Sequence, residues 1–382
     1  MEPFKIAHLI TGLSRAGAET VLVRLVLHMD PKRFTPVVIS LTDDHGYGVD
    51  LRVAGVPLYT LGMKRGRPSL GALLRLRKIL RQEKPSLLQT WLYHADFAGT
   101  LATTFMSLPT VWNLRCSEMD MTQYSFQVQT IRGLLAWLSH RPAAVIVNSE
   151  AGRLYHERLG YRPRRWEEVP NGFDTDLFRP SFEKRAQWRK RLGIEEDTKL
   201  IGMVARVDPM KDHATFLAAA ERIGAARKDA AFVLIGAGTE SLALPGTMAG
   251  RIQALGERND LQDILPALDL LMLSSAFGEG FPNVIGEAMS CAVPAIATSV
   301  GDAPTIISGT GSVVPPRDPV ALANAVIVFL ARDGVARANQ GEAARRRILE
   351  NYRMSTMVER YERIYGAIAE GPTARARQMF RR

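Results

Sequence analysis

The chain has 382 residues, 46% of them hydrophobic, which passes the roughly 250–300 residues at which one core stops growing and predicts two domains. A charged fraction of 23%, with 31 Gly and 21 Pro, excludes a disordered or fibrous chain. Lys and Arg outnumber Asp and Glu by 49 to 39; the formal +10 bears on partners and not on fold. Cys116 and Cys291 lie far apart and form no CxxC, so neither a disulfide framework nor a cysteine zinc site is expected, and a reducing compartment fits. The N-terminus reads as a first strand interrupted by Arg15 and not as a signal peptide. No stretch reaches the roughly 18 apolar residues of a membrane span, Val320–Ala331 being the longest. These features predict a cytoplasmic protein.

In chain order, short β-branched runs alternate with helical patterns, and the series occurs twice. The first half predicts strands at Lys5–Ile10, Pro36–Leu41, Val56–Leu61, Leu87–Leu92, Thr110–Leu114 and Ala143–Asn148. Near-continuous apolar runs such as Ala143–Val147 suit a parallel sheet covered on both faces. Helical patterns fall at Glu19–Met29, Leu70–Glu83, His94–Met106 and Phe126–Ser139. The second half restarts with strands at Lys199–Val204, Ala231–Ile235, Leu268–Ser274, Pro294–Thr298 and Ser312–Val314. Its helices are predicted at His213–Gly224, Pro282–Cys291, Val320–Ala331 and Val335–Glu350. Asn171-Gly172 and Arg179-Pro180 punctuate the seam. The fold class expected is α/β: two facing Rossmann-like, doubly wound domains with mainly parallel sheets and an active site in the cleft between them. The domains are read as 1–175, 176–354, a helix at 355–370 returning to the first domain, and a basic tail at 371–382. In that last helix Thr356 and Glu359 suggest a capping box.

Four segments at the C-terminal ends of predicted strands could carry chemistry, since ligands bind there in open α/β sheets. Thr11–Glu19 holds Gly12 and Gly17 ahead of a helix whose free N–H groups suit a phosphate. It is neither a Walker A loop nor GxGxxG, and a plain strand–helix turn explains it equally well. Gly202–Lys211 places Arg206 and Lys211 five residues apart before a helix, a diphosphate clamp or, taken alone, a solvated pair. Glu279-Gly280-Phe281-Pro282-Asn283-Val284 leads to Glu287 on the following helix. The loop carboxylate could accept from sugar hydroxyls, the helical one from a ribose diol, and the amides at Phe281–Val284 could face a phosphate. His94 is of interest because it ends a predicted strand; the other six histidines show no metal-ligand pairing.

Together these segments resemble the family 4 retaining glycosyltransferases of the two-Rossmann, B-type fold, over nearly the whole chain. Glu279-x7-Glu287 is similar to that group's motif, and Arg206 with Lys211 to the pair that grips the donor diphosphate. Gly17, His94, Asn148 and Asn171 resemble the glycine-rich loop, the active-site histidine, the end of the preceding strand and the interdomain segment. Arg258 lies in a loop resembling the one beside the base. Two departures stand out: Arg15-Ala16-Gly17 replaces a common Gly-Gly pair, and Thr90-Trp91 stands where many relatives have another histidine. The resemblance implies retaining transfer of a sugar from a nucleotide-diphosphate donor, a UDP-sugar before GDP-mannose, to a glycan or lipid-linked glycan in bacterial surface polysaccharide synthesis. It implies no cofactor and no metal, the two cations standing in for one. Catalysis is assigned to His94, Arg206, Lys211 and Glu279, and donor binding to Gly17, Arg258, Gly280, Phe281, Pro282, Asn283, Val284 and Glu287. A 2-epimerase-like enzyme on the same fold is the rival reading.

Residues Lys64, Arg65, Arg67, Arg75, Arg77, Lys78, Arg81 and Lys84 face one acid, Glu83. Leu73, Leu76 and Leu80 make part of this stretch an amphipathic basic helix, suited to an anionic membrane surface or simply to packing on the sheet. A peripheral position on the inner face of the cell membrane follows from the first alternative. Nucleic acid is not expected, because aromatic residues make up 7% and do not interleave with the cations.

Overall fold

The computed structural model describes residues 2–64, 69–118 and 126–371. The chain divides into two compact units: Met1–Gly172 together with the stretch from Met354 onward, and Phe173–Arg353.

Unit 1 contains β1 (Phe4–Ile10), α1 (Gly17–His28), β2 (Phe34–Ser40), α2 (Gly48–Val53), β3 (Leu58–Thr60), α3 (Leu70–Glu83), β4 (Leu87–Trp91), α4 (Tyr93–Thr103), β5 (Thr110–Leu114), α5 (Phe126–Leu138), β6 (Ala144–Val147), α6 (Glu150–Arg158) and β7 (Trp166–Glu168). The seven strands form one parallel sheet in the order β3-β2-β1-β4-β5-β6-β7. Alternate residues of β1 serve opposite faces: Ile6 and Ile10 enter one apolar cluster, Ala7 and Leu9 the other. That two-sided burial is why the strand reads as an unbroken apolar run.

Unit 2 repeats the plan with α7 (Phe182–Arg191), β8 (Lys199–Val204), α8 (His213–Ala226), β9 (Ala230–Ile235), β10 (Ile252–Ala254), α9 (Leu261–Ile264), β11 (Leu270–Leu273), α10 (Asn283–Ser290), β12 (Ala295–Thr298), α11 (Ala303–Ile307), β13 (Ser312–Val314), α12 (Pro319–Leu330) and α13 (Gly334–Asn351). Its parallel sheet runs β10-β9-β8-β11-β12-β13. Both units are therefore Rossmann-like, with the order reversing beside the first strand of each, where crevices open at strand C-termini.

Short polar residues set the helix starts. Ser69, Ser149 and Ser181 accept from Ala72, Gly152 and Lys184 amides, and Asp212, Asp318 and Asp333 do the same for α8, α12 and α13. Each such cap contributes about 1 kcal/mol.

The last helix, α14 (Met354–Ala369), buries Met357, Tyr361, Ile364 and Tyr365 in unit 1. It begins at Met354, so Thr356 lies within its first turn and the expected capping box does not form. Met354 is itself buried in the same cluster, and this packing sets the start of the helix two residues earlier. Among the described residues no single helix is long and apolar enough to cross a membrane; α12 and α13, which pass only as a pair, meet at 114°.

Candidate active site

In unit 2 the loops leaving β8 and β11 are stitched together. Ser274 Oγ donates to the carbonyls of Lys211 (3.0 Å) and Asp212 (2.9 Å), and the Ala276 amide donates to the Met210 carbonyl (2.8 Å). Lys211 is thereby carried to the carboxylate of Glu279: its Nζ donates to Glu279 Oε1, which also accepts from Ser275 Oγ at 2.7 Å. Both partners of this ion pair are largely buried. The two segments picked from sequence, 68 residues apart, thus meet at one carboxylate.

Arg206 stays solvent-facing and is oriented by Asp208, whose Oδ2 accepts from Nε (3.2 Å) and Nη2 (3.0 Å). Burial alone would raise the Asp208 carboxyl. The Met210 amide, the Arg206 hydrogen bond and the charges of Arg206 and Lys211 outweigh it and hold the group below its ordinary range.

Two glycines make this geometry possible. Gly301 has φ +57°, and a Cβ there would lie 2.2 Å from the Glu279 carbonyl oxygen. Gly236 has φ +145°, and a Cβ would lie 2.2 Å from the Ala205 carbonyl oxygen and 2.7 Å from the Arg206 amide. Asp302 donates its amide to the Gly280 carbonyl at 2.9 Å, fixing the same turn.

Pro282 is the N-cap of α10 and offers no side-chain cap, so the first amides of this helix, from Asn283 and Val284, lie beside the Glu279 loop. Phe281 stacks on Phe173 with centroids 6.2 Å apart and meets the Tyr352 ring edge-on; with Val284 it belongs to the apolar core. What Phe281 and Val284 offer a ligand is therefore backbone. Glu287 is buried on α10. Arg258 is exposed, gripping Asp260 through Nε (2.9 Å) and Nη2 (2.6 Å) over the Trp188 ring.

In unit 1, Gly17 opens α1 after a loop pinned by the Arg15–Asp50 ion pair (2.9 Å) and by Arg15 over the Tyr47 ring. His94 is the second residue of α4, half-buried, and burial lowers its pKa, so the ring is neutral near pH 7. The turn presenting it holds Leu92 at φ 72°, ψ 156°, a conformation ordinarily reserved for glycine. Thr90 and Trp91 are structural. Thr90 Oγ1 donates to Asp96 Oδ1, and Trp91 stacks on Tyr361 and donates Nε1–H to His8 Nδ1 at 3.3 Å. Asn171 Oδ1 accepts from Arg115 Nη2, while buried Asn148 follows β6 with its Oδ1 unpartnered. Asn148 and the Gly17 and His94 turns follow the C-terminal ends of β6, β1 and β4 of one sheet; Arg206, Lys211 and Glu279 do the same for the other.

Sequence reasoning gave no role to Asp208, Ser275, Gly301 or Arg115. Asp208 could have been found two residues after Arg206; nothing local marks the other three. Among the described residues no group of three or more His, Cys, Asp or Glu is placed to hold a metal ion.

Two Rossmann-like units, each gathering polar groups at its strand C-termini, define the architecture of the B-type glycosyltransferases. Family models agree: residues 15–177 match Glycosyltransferase Family 4 and residues 198–332 match Glycosyl transferases group 1, which places the chain among these glycosyltransferases. A GDP-mannose-dependent monoacylated alpha-(1-6)-phosphatidylinositol monomannoside mannosyltransferase of Corynebacterium glutamicum is 30% identical over 56% of this chain and 58% of its own. A UDP-Gal:alpha-D-GlcNAc-diphosphoundecaprenol alpha-1,3-galactosyltransferase of Escherichia coli is 26% identical over 60% and 62%. The chain thus spans about three fifths of the length of these two relatives. The putative glycosyltransferase EpsF of Bacillus subtilis is 24% identical over 76% and 78%. Among solved structures, Anabaena HepE in complex with UDP superposes with a TM-score of 0.82 at 22% identity, covering 95% of this chain and all of that one. A Rickettsia africae glycosyltransferase does so at 0.81 and 17%, covering 96% and 99%.

Proposed function

We propose that the chain is a retaining glycosyltransferase that moves a sugar from a nucleotide-diphosphate donor, first a UDP-sugar, to a hydroxyl of a glycan or lipid-linked glycan in bacterial surface polysaccharide synthesis. The observation that carries this reading is Lys211 held against Glu279 beside the Asp208-oriented Arg206, at the ends of β8 and β11. Two cations at that edge suit the charge that builds on a departing diphosphate, the main electrostatic demand of such a transition state. We assign them the work a divalent metal does elsewhere, so transfer proceeds in its absence.

In this mechanism the bond from the anomeric carbon to the diphosphate oxygen breaks. The acceptor oxygen forms its bond on the same face, and its proton passes to the departing diphosphate. Glu279 accepts hydrogen bonds from the donor sugar, Glu287 from the ribose, and neutral His94 contacts the sugar or the acceptor. The α10 amides and the Gly17 turn meet the donor, and Arg258 lies by the base. Asn148 and Asn171 support the unit 1 edge. The enzyme works in the cytoplasm, on the inner face of the cell membrane.

GDP-mannose is the second donor to test, because the Corynebacterium relative is named for it while the Escherichia one is named for UDP-Gal. Incubating the protein with UDP-, GDP-, ADP- and dTDP-sugars in the presence of EDTA, and following products by mass spectrometry, tests the reading. Release of one nucleoside diphosphate supports it. An isomerised nucleotide sugar formed without acceptor points to epimerisation instead, and inertness towards all four donors overturns it.

A further inference from the structure

The outer side of α3 is unlike an ordinary solvated helix face. Ala72, Leu76 and Leu80 pack inward, which leaves Leu70 (74% exposed) and Leu74 (59%) on a surface continued by Arg77, Lys78 and Arg81. Residues four and seven apart share a helix face, so these five form one stripe of two apolar positions followed by three cations. Leu74, Arg77, Lys78, Arg81 and Gln82 line a groove of about 400 Å3.

The neighbouring end of α4 extends this surface. Arg77 Nη2 donates to the Thr104 carbonyl at 3.0 Å, and the next residue, Phe105, is 97% exposed at φ 65°. A phenylalanine wholly in water on left-handed backbone gains nothing from burial and carries strain, which asks for a reason outside the fold. Leu101, one turn earlier, is also exposed.

The charge is unopposed. Glu83, the one acid of the segment, is turned to Lys5 (2.9 Å) and Tyr59 (2.5 Å), and among the described residues Lys78, Arg81 and Lys84 pair with no acid. Arg65, Arg67 and the basic tail from residue 372 lie outside the described residues and play no part here.

We propose that this face docks on an anionic lipid bilayer, with Leu70, Leu74 and Phe105 entering the headgroup–acyl boundary while Arg77, Lys78 and Arg81 meet lipid phosphates. An interleaved arrangement of apolar side chains and cations matches the boundary of an anionic bilayer, where apolar groups sit several ångströms below the phosphates. The inference names the partner surface anticipated above, and it stands whether or not the donor assignment is right.

Sedimentation of the full chain with vesicles of phosphatidylcholine, or of 70:30 phosphatidylcholine–phosphatidylglycerol, tests it without any sugar donor. The wild-type chain is expected to bind the anionic vesicles, more weakly as salt rises, and not the neutral ones. Lys78→Ser/Arg81→Ser should lower binding at least about tenfold, two cations being removed. Phe105→Gly, tolerated at a positive φ, should lower it several-fold while leaving the salt dependence intact. Thermal midpoints of both variants equal to wild type show that they fold. Equal binding to both vesicles, binding unchanged in both variants, or full displacement by 10 mM inorganic phosphate with no effect of Phe105→Gly would each overturn the proposal, the last by revealing a plain anion site.

Discussion

Lys211 Nζ donates to the same Glu279 oxygen that Ser275 Oγ approaches at 2.7 Å, so one buried carboxylate holds together the loops after β8 and β11. Removing the ammonium takes the cationic donor from that buried carboxylate while the Ser275 hydroxyl stays in place. Lys211→Ala should abolish detectable transfer and lower stability by about 1–3 kcal/mol. Adding Glu279→Gln should recover most of the stability and none of the turnover. Denaturant titration of the two variants checks this; a double variant less stable than Lys211→Ala would show that the pair is not coupled.

Gly301 permits the Glu279 backbone to pass. Gly301→Ala must meet an oxygen at 2.2 Å and adopt φ +57°, at a cost of roughly 2 kcal/mol or more. The expected result is a lower unfolding midpoint together with a higher KM for the donor. A variant as stable and as active as wild type would contradict the strain read there.

Asp208 orients Arg206 through two N–H donors. Asp208→Asn keeps the shape and loses the charge, so kcat/KM should fall about tenfold, equal to about 1.4 kcal/mol of transition-state stabilisation. Steady-state kinetics would show no change if Arg206 needs no guide.

Stability against acid follows from buried groups in unit 1. Burial lowers His8 to about 3 and His156 to about 4 from an ordinary 6.5, so each ring is neutral when folded. Below pH 6.5 the unfolded chain takes up protons that the fold refuses, and stability drains away as pH falls towards those values. Burial works the other way on Asp96, whose carboxyl is pushed well up, so it favours folding as pH falls towards the ordinary carboxyl range. Between pH 6.5 and 4.5, His8→Gln should flatten the dependence by up to about 1.4 kcal/mol per pH unit, and Asp96→Asn should change it in the opposite direction. Urea unfolding at pH 6.5, 5.5 and 4.5 measures both; parallel curves for all three proteins would refute the assignment.

The sheets were legible because their strands are buried on both faces: Ala144–Val147 and Leu270–Leu273 are apolar at every position. The outermost strands β7 and β10 were not, being three residues long with polar positions, Trp166-Glu-Glu168 and Ile252-Gln-Ala254. Helix α7 read only as a charged stretch, since its packing uses an arginine: Arg189 reaches Asp269 and the carbonyls of Glu195 and Thr198, contacts no local pattern announces. At the site, residue types and strand ends singled out Arg206, Lys211 and Glu279. Ser275 and Gly301 matter through contacts closed by the fold, and a glycine's need shows only when the carbonyl facing it is placed.

The proposed role of Arg206 and Lys211 is to bind a nucleotide diphosphate at the loops after β8 and β11. Calorimetric titration with UDP, GDP, ADP and dTDP, each with EDTA present, tests it most directly. One nucleotide should bind the wild-type chain, and Lys211→Ala should weaken that binding at least about a hundredfold, near 2.7 kcal/mol. Binding of none of the four, or equal binding by the variant, would contradict it.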